Sequence, residues 1–275
     1  MMKHRVACRF AHVWTAHRPF PPATRESEYT SFKGVKHHDE EYQNVQRLPD
    51  RFPVAVWPNF ITEEEEREMV GAVEPRLHRK PYAKSHFDSV ICNYRELLLD
   101  RHALPSDSLR ALYARVQDHL CAPGTALADV HVLDIAENGF IAPHVDTEFT
   151  GGMVAGVSLL SDAVITFQPH VPALQERLLE EKPNKQGGTR LQGNDSICFP
   201  QLPSIELLVP ARSLYVLVQE ARYSWTHAIE VSNCHSFRGQ IVPRTRRISL
   251  MFRDELPATR EPETSSRSGS LGGFL

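Results

Sequence analysis

Apolar positions fall at helical spacing in two segments before residue 121 and at the shorter spacing of strands after it. "FPVAVWPNFI" (52–61) reads as an extended entry into the domain. Thr62 then opens "TEEEEREMV". Thr62 with Glu65 three residues later has the form of a capping box, and acids suit a helix N-terminus. The Glu63–Glu66 run is therefore read as a charged first turn and not as a metal cluster. A second helix is expected near 106–120, where Leu109, Leu112, Tyr113, Val116 and Leu120 mark one apolar face. "APG" at 122–124 ends it. Eight short alternating runs follow, near 130–136, 140–146, 154–160, 163–168, 205–209, 213–219, 225–230 and 247–253. Gly, Pro, Asn and Asp separate them, as turn chemistry requires. Helices first and many short strands after predict an α+β, mainly β fold, with helices packed on a β-sandwich or jelly roll.

The pattern lapses in four places. Residues 26–50 are polar and mixed in charge, and read as a linker. Residues 169–204 carry Pro169, Pro172, Pro183, Pro200 and Pro203 with Gly187, Gly188 and Gly193. They read as a long surface loop inserted in the domain, with "ALQERLLEE" a short helix within it. The tail 258–275 is poor in apolar residues and is expected to be disordered. The first 25 residues hold Lys3, Arg5, Arg9, Arg18 and Arg25 and no acid; the first is Glu26. Val6, Phe10, Val13 and Trp14 sit there at helix-like spacing. A basic, acid-free, amphipathic start reads as a mitochondrial transit peptide, with a plain basic tail as the competing reading. The folded domain is expected over 51–257.

Composition narrows the class further. At 275 residues, 41% hydrophobic and 24% charged, the chain has the make-up of an ordinary soluble globular protein. No run reaches the roughly 18 consecutive apolar residues that a membrane span needs. A net charge of −3 gives no global pull toward nucleic acid or membrane. The five cysteines are odd in number, scattered and without a CxxC pair, so they read as reduced thiols and not as a disulfide framework or a zinc knuckle.

Candidate chemistry begins at "PHVD" (143–146). In an extended chain His144 and Asp146 share one face and Val145 turns away. His227, in the strand-like "YSWTHAIE", is the candidate third ligand, because a jelly roll brings early and late strands together. Two histidines and one carboxylate form the facial triad of non-haem Fe(II) oxygenases, which leaves positions open for co-substrates. Alone the pattern is weak in a chain with 14 histidines. A polar strand end accounts equally for His144 and Asp146, and a hydrogen-bonded core histidine for His227. A second feature strengthens it. Twenty residues beyond His227 comes "RISLMFR", in which Arg247, Ser249, Met251 and Arg253 share one face of a strand. A buried guanidinium is costly unless an anion pairs with it, and a small dicarboxylate would do so.

Together these stretches resemble the AlkB-type Fe(II)/2-oxoglutarate-dependent dioxygenases, and within them the mitochondrial branch. "VHVLDIAENGFIAPHVD", "AGVSLLS", "SLYVLVQEARYSWTHAI" and "IVPRTRRISLMFR" carry the resemblance in order, preceded by "EEEEREMVGAVEPRL". It covers roughly 50–257 without the insertion. The resemblance implies a double-stranded β-helix with Fe(II) held by His144, Asp146 and His227. It implies that 2-oxoglutarate chelates the metal through its 2-oxo acid end and that Arg247 pairs with the distal carboxylate. Arg253 and Tyr215 would complete the pocket, with O₂ as the other co-substrate and no catalytic residue beyond the ligands. It further implies a mitochondrial matrix location, a protein substrate, and links to alkylation-induced programmed necrosis and fatty-acid metabolism.

Members that repair nucleic acid carry an Asn-x-Tyr ahead of the HxD; Leu133 and Ile135 stand at those positions here. The family's Asn and Thr within the arginine strand are Ser249 and Met251. No basic, aromatic lid for a flipped base precedes "VHVLDIA". An RNA-base demethylase is the alternative enzyme. It would need a charged groove, to which Arg244, Arg246 and Arg247 could contribute, and a stacking aromatic from among Tyr94, Phe149 and Tyr223. A non-enzymatic interaction module with a retained metal site is the alternative from another class, disfavoured by the intact triad and both arginines. A cupin-like zinc or manganese site would leave the arginine strand unexplained.

Overall fold

A computed structural model describes residues 23–24, 28–33, 51–85, 90–122, 124–147, 151–170, 203–231 and 235–255. The expected transit segment up to residue 22, residues 171–202 of the expected insertion and the tail from 258 lie outside the described residues. Four short strands come first: β1 (Ala23–Thr24), β2 (Thr30–Lys33), β3 (Arg51–Phe52) and β4 (Val54–Trp57). Helix α1 (Glu63–Leu77) follows, then β5 (Ala83–Ser85), β6 (Ile91–Leu99) and helix α2 (Asp107–Leu120). The rest is almost all strand: β7 (Val130–His144), β8 (Met153–Leu159), β9 (Ala163–Pro169), β10 (Ser204–Val209) and β11 (Leu214–Val218). A five-residue helix α3 (Gln219–Tyr223) leads into β12 (Trp225–Ile229), and β13 (Ser236–Phe237), β14 (Gln240–Ile241) and β15 (Arg247–Arg253) end it.

The helices start where their caps put them. Thr62 accepts from the Glu65 N–H (3.2 Å), and Glu65 accepts in return from the Thr62 N–H (2.8 Å). Ser106 caps α2 by accepting from the Leu109 N–H at 3.1 Å. Each helix buries one stripe: Met69, Val73 and Leu77 in α1, and Leu109, Leu112 and Val116 in α2. These side chains share a core with Val130 and Val132 of β7, alternate residues of β8 and β11, and Ile248, Leu250 and Phe252 of β15. Burial of that many aliphatic groups, at about 25 cal/mol per Å² of apolar surface, holds the helices to the sheet.

Eleven antiparallel strands form one curled sheet in the order β2-β10-β9-β12-β7-β15-β8-β11-β4, with β6 and β5 paired beyond β7. Strand β7 joins its two halves. Residues 131–135 pair with β15, whereas Ile141 and His144 pair with Ile229 and His227 of β12. The change of partner falls at Gly139, beside a register shift in β6 between Cys92 and Tyr94. A Cβ on Gly139 would stand 2.7 Å from the Asn93 and Cys92 carbonyls, so only glycine lets β6 approach there. The inward faces of both halves meet in a second core that includes Leu133, Ile135, Ile165, Phe167, Ile205 and Leu217. This is a mainly β, double-stranded β-helix with the two helices against the outer face of one half.

Three expectations change. The runs at 130–136 and 140–146 are one 15-residue strand that ends at His144, with Asp146 just beyond it. Thr30–Lys33, inside the stretch read as linker, is the sheet-edge strand β2, in register from Ser204↔Lys33 to Leu207↔Thr30. Strand β6 was not anticipated, because the charged pair Arg95–Glu96 interrupts its apolar alternation. Among the described residues no helix is long and apolar enough to cross a membrane.

Candidate active site

His144 ends β7 and His227 lies directly opposite it in β12, so sheet pairing alone brings the two rings to 4.2 Å between centroids. Asp146 follows two residues later. Its Oδ1 lies 3.4 Å from His144 Nε2, and its Oδ2 lies 3.9 Å from His227 Nε2. The longer of these exceeds a hydrogen bond, and Asp146 Oδ2 is buried with no donor of its own. One ligand atom from each residue lies within 4.8 Å of the other two. His144 Nδ1 sits 3.0 Å from the Ala142 carbonyl, which can only accept; Nδ1 therefore carries the proton and Nε2 presents a lone pair.

Electrostatics prepares the same atoms. Burial pushes His227 down to about 3, with His144 adding to the effect, so its imidazole is neutral at physiological pH. Burial alone would raise the Asp146 carboxyl, but the His144 contact and the positive charge of Arg222 hold it well below the ordinary carboxylate range. Two imidazoles and one carboxylate form the donor set of a facial Fe(II) site.

The triad opens on a cavity of ≈ 80 Å³, lined on one side by Ile165 and Ile229 and on another by Tyr215, Arg247, Ser249 and Arg253. Strand β15 alternates as its sequence predicts: Arg247, Ser249, Met251 and Arg253 line the cavity, while Ile248, Leu250 and Phe252 pack under the helices. Arg247 is 1% exposed. Its Nε donates to Ser158 Oγ (2.9 Å), and its Nη2 is buried without a partner. Tyr215 lies with its ring 5.8 Å from the Arg247 guanidinium and its hydroxyl 3.1 Å from Ser249 Oγ. Arg253 Nε is a second buried donor with no acceptor. Orphaned guanidinium nitrogens of this kind call for an anion.

Comparison with known proteins decides the family. The chain is 33% identical over 211 residues to the mitochondrial alpha-ketoglutarate-dependent dioxygenase alkB homolog 7 of Bos taurus, covering 76% of this chain and 80% of that protein. With the Mus musculus protein of the same name it shares 32% identity over 209 residues, 75% of this chain and 80% of that one. The chain belongs to the AlkB-type 2-oxoglutarate-dependent dioxygenases. No family model matches it. Among solved structures, a Pseudomonas putida prolyl-4-hydroxylase superposes with a TM-score of 0.45 at 11% identity, over 74% of this chain and 92% of that one. A Trichoplax adhaerens prolyl hydroxylase in complex with a hypoxia inducible factor peptide gives 0.47 at 9%, over 74% and 83%.

As an AlkB-type dioxygenase the protein is an Fe(II)- and 2-oxoglutarate-dependent oxidoreductase. All three expected ligands and all three expected pocket residues line the one cavity. Arg222 was missed. It is fully buried in α3, and its guanidinium donates to the carbonyls of Asp146 (3.0 Å) and Thr147 (2.6 Å), which fixes the chain just past His144. Its sequence signal was slight: a single arginine between two strands, in "QEARY".

The three arginines that the alternative RNA reading could draw on point to different partners. Arg247 faces the cavity and Arg244 is buried, donating to the carbonyls of Glu137 (3.1 Å) and Ala136 (3.3 Å) and to that of Gly139. Arg246 is paired with Asp134 (2.8 Å) and Glu74 (3.0 Å). Of the stacking candidates, Tyr94 is a core residue, Tyr223 is 38% exposed, and Phe149 lies outside the described residues.

Proposed function

We propose that His144, Asp146 and His227 hold the iron, and that Arg247, Arg253 and Tyr215 bind 2-oxoglutarate, in an enzyme acting in the mitochondrial matrix. One observation carries this reading. Three metal-type side chains share a cavity with buried Arg247 and half-buried Arg253, each of which holds one buried guanidinium nitrogen without an acceptor. Bound iron with 2-oxoglutarate and O₂ supplies oxidative decarboxylation to succinate and CO₂, coupled to oxidation of a C–H bond. The chain's own contribution is placement. Arg247, steadied by Ser158, meets the distal carboxylate. Tyr215 and Ser249 close that end of the cavity. Ile165, Leu217 and Ile229 keep water away from the reacting centre.

A protein side chain is the proposed substrate class, acted on by a folded domain that spans 51–257 and takes in strand β2 ahead of it, with the basic N-terminal stretch serving as the import signal. The mitochondrial proteins of Bos taurus and Mus musculus that the chain resembles support the mitochondrial setting. Arg244 is buried against backbone carbonyls, Arg246 is paired with Asp134 and Glu74, and Arg247 faces the cavity, which supports protein over RNA. Links to alkylation-induced programmed necrosis and fatty-acid metabolism rest on the resemblance alone.

The test is succinate release from 2-oxoglutarate and O₂ by anaerobically iron-loaded protein, beside His144→Ala. Uncoupled turnover needs no prime substrate. Succinate that disappears in the variant supports the assignment. No succinate together with no 2-oxoglutarate binding would leave an interaction module with a retained metal site as the better reading.

A further inference from the structure

A polar chain leads from the cavity to the surface. His131 of β7 lines the cavity beside Arg253. Its Nδ1 lies 3.4 Å from Arg253 Nη1, and its Nε2 lies 2.8 Å from Glu96 Oε2 of β6. Chemistry sets both directions. A guanidinium only donates and stays charged in proteins, so His131 Nδ1 must accept. The proton then sits on Nε2 and goes to the Glu96 carboxylate. Sheet register holds the pieces in place, because Glu96 pairs with Leu133 and Leu98 with His131. The imidazole is therefore held as one tautomer by a partly exposed acid and turned toward one nitrogen of the half-buried Arg253 guanidinium. Arg253 Nε remains without an acceptor.

We propose that His131 is the positioning residue for Arg253. It engages Nη1 and so orients the guanidinium for a co-substrate carboxylate, while Glu96 fixes the His131 tautomer. The proposal rests on the assignment of 2-oxoglutarate to this cavity and adds to it two residues that do not touch the metal. His131 acts through Arg253 and transfers no proton in the reaction.

The experiment measures calorimetric binding of 2-oxoglutarate to the full chain loaded with Mn(II), which fills the site without turnover. His131→Leu removes the acceptor. His131→Gln keeps an amide oxygen for Arg253 and an N–H for Glu96. A hydrogen bond to a charged group is worth enough for an effect of about tenfold. His131→Leu should weaken binding about tenfold and raise the KM for 2-oxoglutarate in the succinate assay, with kcat at saturation nearly unchanged. His131→Gln should restore affinity to within about threefold of wild type. In an Arg253→Ala background His131→Leu should cost nothing further, since the two residues act as one unit.

Equal binding by wild type and His131→Leu overturns the relay, as does a His131→Gln variant that falls as far as leucine. Should His131→Leu fail to fold, the test passes to Glu96→Ala, whose side chain is 41% exposed. A weakening of about threefold supports the relay there, and unchanged affinity overturns it. If wild type itself binds no 2-oxoglutarate, the co-substrate assignment fails and the relay with it. That outcome differs visibly from loss in the variants alone.

Discussion

Single residues decide whether the cavity has the right walls. Gly156 of β8 stands opposite Tyr215 of β11, and a Cβ there would fall 2.4 Å from the Tyr215 hydroxyl. The tyrosine therefore lies across the bare glycine to reach Ser249 on β15. Gly156→Ala forces it away at an overpacking cost of about 1–3 kcal/mol. We expect 2-oxoglutarate affinity to fall about tenfold as the ring swings into the cavity, and the melting temperature to drop by about 2–4 °C for each kcal/mol lost. Calorimetry on Mn(II)-loaded protein measures it, and unchanged affinity would remove Tyr215 from the binding site. That His144, Asp146, His227 and the two arginines come together at one cavity was legible beforehand, because each lies in a strand-like stretch whose alternation fixes its face. Gly156, His131 and Arg222 were not. Their roles depend on what stands opposite them across a strand pair or a loop, and that register is absent from a single stretch of sequence.

At the scale of elements, one buried ion cluster ties helix α1 to the sheet. Asp134 of β7 is fully buried beneath the end of the helix. It accepts from Arg95 of β6 (2.7 Å), from Arg246 ahead of β15 (2.8 Å) and from Tyr82 (3.2 Å), while Glu74 of α1 takes Arg246 at 3.0 Å. Removing one member of such a cluster strands the others, at about 3–5 kcal/mol. Asp134→Ala should therefore lower the urea midpoint sharply, with Arg95 left charged and 8% exposed. A loss below about 1 kcal/mol would mean that solvent replaces the cluster. The same residues explain which elements were readable. Both helices carry their caps and stripes within one segment, so they were found. Strand β6 places Arg95 in its middle as a partner for Asp134, 39 residues away. A charge that looks like a break in local alternation is in fact satisfied across the sheet.

The stability of the whole molecule carries the signature of its buried bases. His235 is 2% exposed and accepts the Val164 N–H through Nε2 at 2.6 Å, which requires a neutral ring. Burial, with Arg244 and Arg247 adding to it, lowers it from 6.5 to about 3. The unfolded chain therefore binds a proton below about 6.5 that the folded chain refuses until about 3, and stability is lost as pH falls through that window. Between pH 7 and 5 the loss amounts to about 2 kcal/mol from linkage. His235→Gln should show a correspondingly flatter dependence in urea titrations at the same metal loading, and a parallel slope would refute the assignment.

Metal and co-substrate should couple the two halves of the fold in the same way. The three proposed ligands come from the end of β7, the residue pair after it and β12, whereas Arg247 and Arg253 belong to β15, on the other side of the β7 crossover. Ligands that bind only the folded state stabilise it by mass action, by about 2.7 kcal/mol at a hundredfold excess over Kd. Mn(II) alone should raise the melting temperature, and 2-oxoglutarate should raise it again only when the metal is present. Arg247→Ala should keep the first increment and lose the second, because the metal ligands are intact and the distal carboxylate has no partner. An equal second increment in that variant would place the co-substrate elsewhere in the molecule.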